Sequence, residues 1–115
     1  RGKKLAVIDR ACWSAAVIPT LACRRVLIRS DATMLIHRIR KAILGDARRF
    51  RMEAGSMDID DRARLRILER CRPHISRRRL EGLLQSGELI TASDAVAIGI
   101  ADRVIHRAIP AFRFA

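Results

Sequence analysis

The sequence predicts a mixed α/β fold, and three observations carry that prediction. Short runs rich in apolar residues at 5–8, 25–28 and 34–37 have strand length and few breakers. Longer stretches at residues 39–54, 59–71 and 76–86 show helical spacing of apolar residues. The two patterns alternate along the chain instead of segregating into separate halves. At 115 residues there is material for one domain with one modest core. Half the residues are apolar, which excludes a disordered tail. No apolar run approaches the ~18 residues of a membrane-spanning helix, and no basic-then-apolar leader opens the chain, so no membrane partner is expected.

The elements follow in order. Residues 5–9 read as a buried strand and residues 10–13 as a turn. Ser14 then opens an Ala- and Leu-rich helix to about Cys23, with Pro19 predicting a kink several residues in. Arg25 to Ile28 is a second strand, Ser30 and Asp31 a turn, and Met34 to His37 a third strand. From Ile39 the pattern turns helical. Ile39, Ile43, Ala47, Phe50 and Ala54 make one apolar stripe, interrupted by Gly55 and Ser56. Ile59, Ala63, Ile67, Leu68 and Cys71 make another, ended by Pro73. Ser76 caps a third helix, with Ile75 and Leu80 placed as a hydrophobic staple, and Gly87 ends it. Thr91 with Asp94 forms a short-armed capping box for a helix that stops at Gly99. Val104 and Ile105 make a last strand, and a frayed tail follows Pro110.

Charge is the unusual property. Lys plus Arg is 24 against 12 Asp plus Glu, a net +12, and only Lys3, Lys4 and Lys41 are lysine. Such a balance invites nucleic acid as a partner. The sequence, however, holds no helix-turn-helix or zinc-finger signature. Its few aromatics (Trp13, Phe50, Phe112, Phe114) make no stacking platform, so nucleic acid is disfavoured. Cys12, Cys23 and Cys71 lack both a disulfide framework and metal-ligand spacing. That predicts a reducing, cytoplasmic compartment and no metal.

Two side chains could carry chemistry. Ser14 stands where a strand meets a helix. A hydroxyl there is lifted from the sheet, and the backbone N–H of Ala15 is available to an oxyanion. The same position suits a plain N-cap serine, and both readings stand. His37 ends an apolar strand, where α/β sites collect. A neutral imidazole near a serine hydroxyl takes its proton, while a structural hydrogen bond at a strand edge is the alternative.

Taken together, Ser14-Ala15-Ala16-Val17-Ile18 and Asp31-Ala32-Thr33-Met34-Leu35-Ile36-His37 resemble the active-site segment of the Clp protease proteolytic subunit family, in its phage and prophage-like branch. The stretch from Leu89 to Ile105 resembles the same family's "F-L-T-A-E-E-A-V-E-Y-G-L-V-D-x-V" motif. The resemblance implies a ClpP/crotonase-like α/β fold of repeated β-β-α units over residues 1–107, incomplete at its N-terminus. A handle-like helical segment would occupy about 38–72, and 108–115 would be a tail. It further implies a cytoplasmic serine endopeptidase that needs no cofactor. Ser14 would be the nucleophile, His37 the general base and the Ala15 N–H an oxyanion donor. Its partners would be a peptide or unfolded protein substrate, further copies of itself in rings, and an ATP-dependent unfoldase. The position of the family's catalytic acid holds Gly87, with Glu88 beside it, and Trp13 replaces the small residue usual before the nucleophile. A non-catalytic assembly or binding protein on the same fold is one alternative. The other is a crotonase-type acyl-CoA enzyme, which Leu21-Ala22-Cys23-Arg24-Arg25 and the stretch from Gly87 to Asp102 also resemble.

Overall fold

The computed structural model describes residues 4–106; the chain's first three residues and the tail after Pro110 lie outside them. Among the described residues are six short strands and four α-helices, in a small mixed α/β fold with two three-stranded sheets. They divide into two compact units. One comprises residues up to Leu35 together with those from Leu89 onward, and the other is Ile36–Glu88.

The first unit contains both sheets. Strands β1 (Leu5–Ile8), β3 (Arg25–Arg29) and β6 (Arg103–Ile105) pair in parallel in the order β1-β3-β6. Their Val- and Ile-rich sequences suit a pleated, packed surface, and Val26 and Ile28 are fully buried. Strand β2 (Ala11–Trp13) lies parallel to β4 (Thr33–Leu35), which pairs antiparallel with β5 (Leu89–Thr91). Residues 10–13, expected as a turn, thus contain a strand. Three residues alternating exposed, buried, exposed are too few to show a period of two in sequence.

After β2 the chain makes a 3₁₀ turn (Ser14–Ala16) and then the short helix α1 (Val17–Leu21). Pro19 falls in the first turn of α1, the region where a helix tolerates it, because the preceding turn is 3₁₀. Helix α4 (Ala92–Ile98) begins as expected at Thr91, whose side chain accepts the Asp94 N–H at 3.2 Å. It ends at left-handed Gly99. Asp102 then pins the following turn to β3. Its carboxylate accepts the Val26 N–H at 2.6 Å, and its own N–H donates to the Val26 carbonyl at 2.8 Å.

The second unit is an extended arm and two helices. The expected helix does not begin at Ile39: the first helix of this unit is α2 (Ala47–Cys71), whose N-cap Asp46 accepts the Arg49 N–H at 3.0 Å. The arm runs back along α2. Asp61 accepts the Ile39 N–H at 3.0 Å, and Lys41 pairs with Glu53. Nor do Gly55 and Ser56 break the helix. A Cβ on Gly55 would meet nothing within 4 Å, so the cost of glycine is its chain entropy alone, and neighbouring turns absorb it. Ser76 caps α3 (Arg77–Ser86) as expected, accepting the Arg79 N–H at 3.1 Å, and Gly87 closes it at φ +58°. Helix α3 packs on the C-terminal part of α2, burying Leu65 and Leu68 with Leu80 and Leu84. Phe50, Met52 and Ile59, further toward the N-terminus of α2, stay exposed. Among the described residues no helix is long and apolar enough to cross a membrane.

Candidate functional site

Ser14 is built into a tight corner. Strand β2 ends at Trp13, extended at φ −116° and ψ 143°, and the next residue reverses to φ +54°. Ser14 is the one non-glycine residue with positive φ among those described. A left-handed conformation costs a side-chain-bearing residue roughly 1–2 kcal/mol, and such outliers persist only where the surroundings impose them. Here Cys12, buried in β2, donates to the Thr20 hydroxyl of α1 at 3.3 Å. Thr20 in turn donates to the Ala16 carbonyl at 2.8 Å. Trp13 Nε1 donates to Thr33 Oγ1 of β4 at 3.1 Å. Strand and helix are therefore fixed on both sides of the corner.

The N-cap reading of Ser14 does not survive. The cap positions are Trp13 for the 3₁₀ turn and Ala16 for α1, and neither has a side-chain cap bond. Ser14 is half-buried inside the turn, and its carbonyl accepts the Val17 N–H. Ala15 is exposed and second in the turn, where a backbone N–H has no acceptor within the helix. Cys12 is a poor rival nucleophile, because burial pushes its thiol up despite the bond to Thr20.

His37 lies two residues beyond β4, which ends at Leu35 and not at His37. Parallel pairing of β2 with β4 brings the C-terminal ends of the two strands to one edge of the sheet, with Trp13 opposite Leu35. Ser14 is the next residue after the first of those ends, in the first unit. His37 follows the second end and opens the second unit. The Nδ1 of His37 hydrogen-bonds the Arg38 carbonyl. A carbonyl only accepts, so Nδ1 carries the hydrogen, and in the neutral ring Nε2 is the proton-accepting nitrogen. No sequence signal announces this, since the acceptor is main chain.

Gly87 faces His37 within the second unit. A Cβ built on Gly87 would meet the His37 Cβ at 3.6 Å and the Arg40 guanidinium at 3.5 Å. Gly87, where the resemblance would call for a catalytic acid, thus adjoins the histidine and carries no side chain. Elsewhere in the second unit, a cleft of about 380 Å³ is lined by Asp58, Asp61, Glu81, Arg38 and Arg62 over Leu65 and Leu84. His37 does not line it, and its Asp61 is already committed to the arm. Among the described residues no cluster of three His, Cys, Asp or Glu side chains could hold a metal ion.

No protein-family model matches the chain, and no curated protein matches it either.

Proposed function

We propose that this chain is a serine hydrolase of the Clp proteolytic-subunit type, cleaving peptide bonds through an acyl-enzyme on Ser14. The observation that carries the reading is the left-handed Ser14 at a strand-to-helix corner. This is the geometry that presents a nucleophilic hydroxyl above a sheet. In the proposed mechanism His37 Nε2 takes the Ser14 proton as Oγ attacks the carbonyl, and the Ala15 N–H stabilises the oxyanion. The Arg38 carbonyl holds the imidazole tautomer, a task that a carboxylate performs in a Ser-His-Asp triad. A main-chain dipole stabilises the imidazolium less than an anion does, so the reading implies a slow enzyme.

The architecture supports the family reading. An extended arm and a 25-residue helix are inserted between β4 and β5, where the resemblance calls for a handle. Under that reading the further proposals are self-assembly, an unfoldase partner and a cytoplasmic setting. A fluorophosphonate probe tests the mechanism. Wild-type protein should be labelled at Ser14, Ser14→Ala should take no label, and His37→Ala should slow labelling by about 100-fold or more. Absence of label on Ser14 in folded protein would reject the enzyme in favour of a non-catalytic binding protein on the same fold.

A further inference from the structure

Within the second unit, the end of α3 brings bare backbone up to the His37 side chain. Gly87 closes the helix in the left-handed region, at φ +58°. A Cβ built there would stand 3.6 Å from the His37 Cβ and 3.5 Å from Nη2 of Arg40. These are ordinary contact distances, so the histidine and the guanidinium flank one point to which residue 87 contributes no side chain. Arg40 is exposed and makes no ion pair among the described residues, and neither does Glu88, the next residue after Gly87. The Arg38 carbonyl on Nδ1 fixes the tautomer of His37, but it supplies a dipole and no charge. A carboxylate lodged at this point would supply the charge. The guanidinium fork would hold it by hydrogen bonds of about 2.7–2.9 Å, and the imidazole ring would meet the anion before the cation behind it.

We propose that Gly87, Arg40 and His37 form a site for a small carboxylate supplied from outside the chain, held by Arg40, whose binding stabilises the imidazolium that forms as His37 takes the Ser14 proton. This rests on the reading of Ser14 as nucleophile and His37 as general base. The ligand class follows from the lining. A planar anion with two oxygens matches the guanidinium fork, and the glycine leaves room for a small one. The net charge of +12 raises the local concentration of anions at the surface. Not being bonded to the Gly87 Cα, the carboxyl carbon sits somewhat farther out than the Cβ point, and the exposed Arg40 side chain has the freedom to follow it. A free acid and a carboxyl group borne by the substrate offer the same chemistry to this site.

The test pairs labelling rates with binding. The full chain is treated at pH 7 with a neutral fluorophosphonate, in sodium formate and in sodium chloride of equal ionic strength. Formate should speed labelling of Ser14 saturably, by about fivefold. That is a small part of the roughly 10⁴ that a built-in triad acid is worth, because one residue holds the free anion. Arg40→Ala should abolish the response, Arg40→Lys should keep part of it, and Glu88→Gln should keep all of it. Gly87→Asp should also abolish it, because its own carboxylate takes the place. A fluorophosphonate with a terminal carboxylate separates the two sources. An Arg40-dependent advantage of that probe in chloride assigns the anion to the substrate, and a formate response without such an advantage assigns it to a free acid. Equal rates in the two salts at a labelled Ser14 would overturn the carboxylate site and leave the nucleophile standing. Binding is read without catalysis in Ser14→Ala protein, where formate should shift the His37 ring resonances saturably, assigned by comparison with His37→Ala. No saturable shift, or one that survives Arg40→Ala, would overturn the site whatever the fate of Ser14 as a nucleophile.

Discussion

At the scale of single residues, two positions hold the functional argument, and each yields a prediction. Ser14 sits at φ +54°, where glycine is at ease and serine is not. Ser14→Gly should therefore be more stable than Ser14→Ala, which lacks the hydroxyl as well, by about 1 kcal/mol, a Tm difference of roughly 4 °C, and neither variant should take the fluorophosphonate label. Equal Tm values in the two variants would mean that the corner stores no backbone strain. The second position is Gly87. An Asp there would start 3.6 Å from the His37 Cβ, within reach of the ring, and Asp tolerates left-handed φ better than most residues. Gly87→Asp should raise the Ser14 labelling rate at pH 7 by about tenfold. That is well short of what a fully positioned triad acid supplies, because Arg40 competes for the carboxylate. Gly87→Ala, matched for backbone strain, should give no gain. An unchanged rate in folded Gly87→Asp protein would remove the acid-position argument. Much of this was legible from residue types. Ser14, His37 and Gly87 stand out in the sequence, but the sign of φ at Ser14 and the Arg38 carbonyl belong to the backbone, which residue identity does not encode.

At the scale of elements, local signals succeeded where they were chemical and failed where they were periodic. Ser76, Thr91 and Gly99 act as caps because hydroxyl oxygens and left-handed glycine satisfy orphan backbone groups wherever they occur. The stripe of Ile39, Ile43 and Ala47 misled, because a spacing of four is also a multiple of the extended chain's period of two; Ile39 and Ile43 are half-buried in the arm while Ala47 is exposed. Asp46 marked the true start. Gly55 misled in the opposite direction. A solvent-facing glycine lowers a 25-residue helix's stability without ending it. Gly55→Ala should accordingly stabilise the protein by about 0.5–1 kcal/mol, read as an increased denaturant midpoint at unchanged slope. The arm supplies a pH test. The Lys41 ammonium, hydrogen-bonded to Glu53, holds that carboxyl below its ordinary value, with the Arg49 charge adding to the effect. A carboxyl lowered on folding stabilises the fold above its unfolded pKa of about 4.5 and loses that contribution as pH falls through the lowered value. Between pH 6 and pH 3, the Ile39 amide, which donates to Asp61, should lose hydrogen-exchange protection in the wild type. In Glu53→Gln it should be weakly protected at both pH values. Equal pH dependence in the two proteins would mean that other groups hold the arm.

At the scale of the whole molecule, the net charge of +12 is the dominant physical fact. Among the described residues, acidic groups are matched to a few cations: Asp9 and Asp31 to Arg29, Glu53 to Lys41 and Arg49, and Glu69 and Glu81 to Arg77. These pairs are mostly exposed and individually worth little. Arg48, Arg51, Arg66, Arg78 and Arg79 are exposed on the two helices of the second unit, so uncompensated positive charge is spread along the arm and helices that the resemblance equates with a ring-joining handle. Like charges within a Debye length repel. That length falls from about 30 Å at 0.01 M salt to about 8 Å at 0.15 M. Two consequences have the same sign. The fold should gain stability with salt, its Tm rising by several degrees between 10 mM and 300 mM sodium chloride, because screening relieves repulsion present in the compact state and weaker in the expanded one. If copies associate through the helical unit as proposed, that association should also strengthen with salt, so the weight-average mass in sedimentation should rise over the same interval. A specific acidic partner would show the opposite dependence, since salt screens attraction as readily as repulsion. Sedimentation at two salt concentrations, alone and with a polyglutamate of defined length, therefore separates a self-assembling handle from an acid-binding surface. A mass that falls with salt in the protein alone would place acidic groups across the interface and remove charge as the barrier to ring pairing.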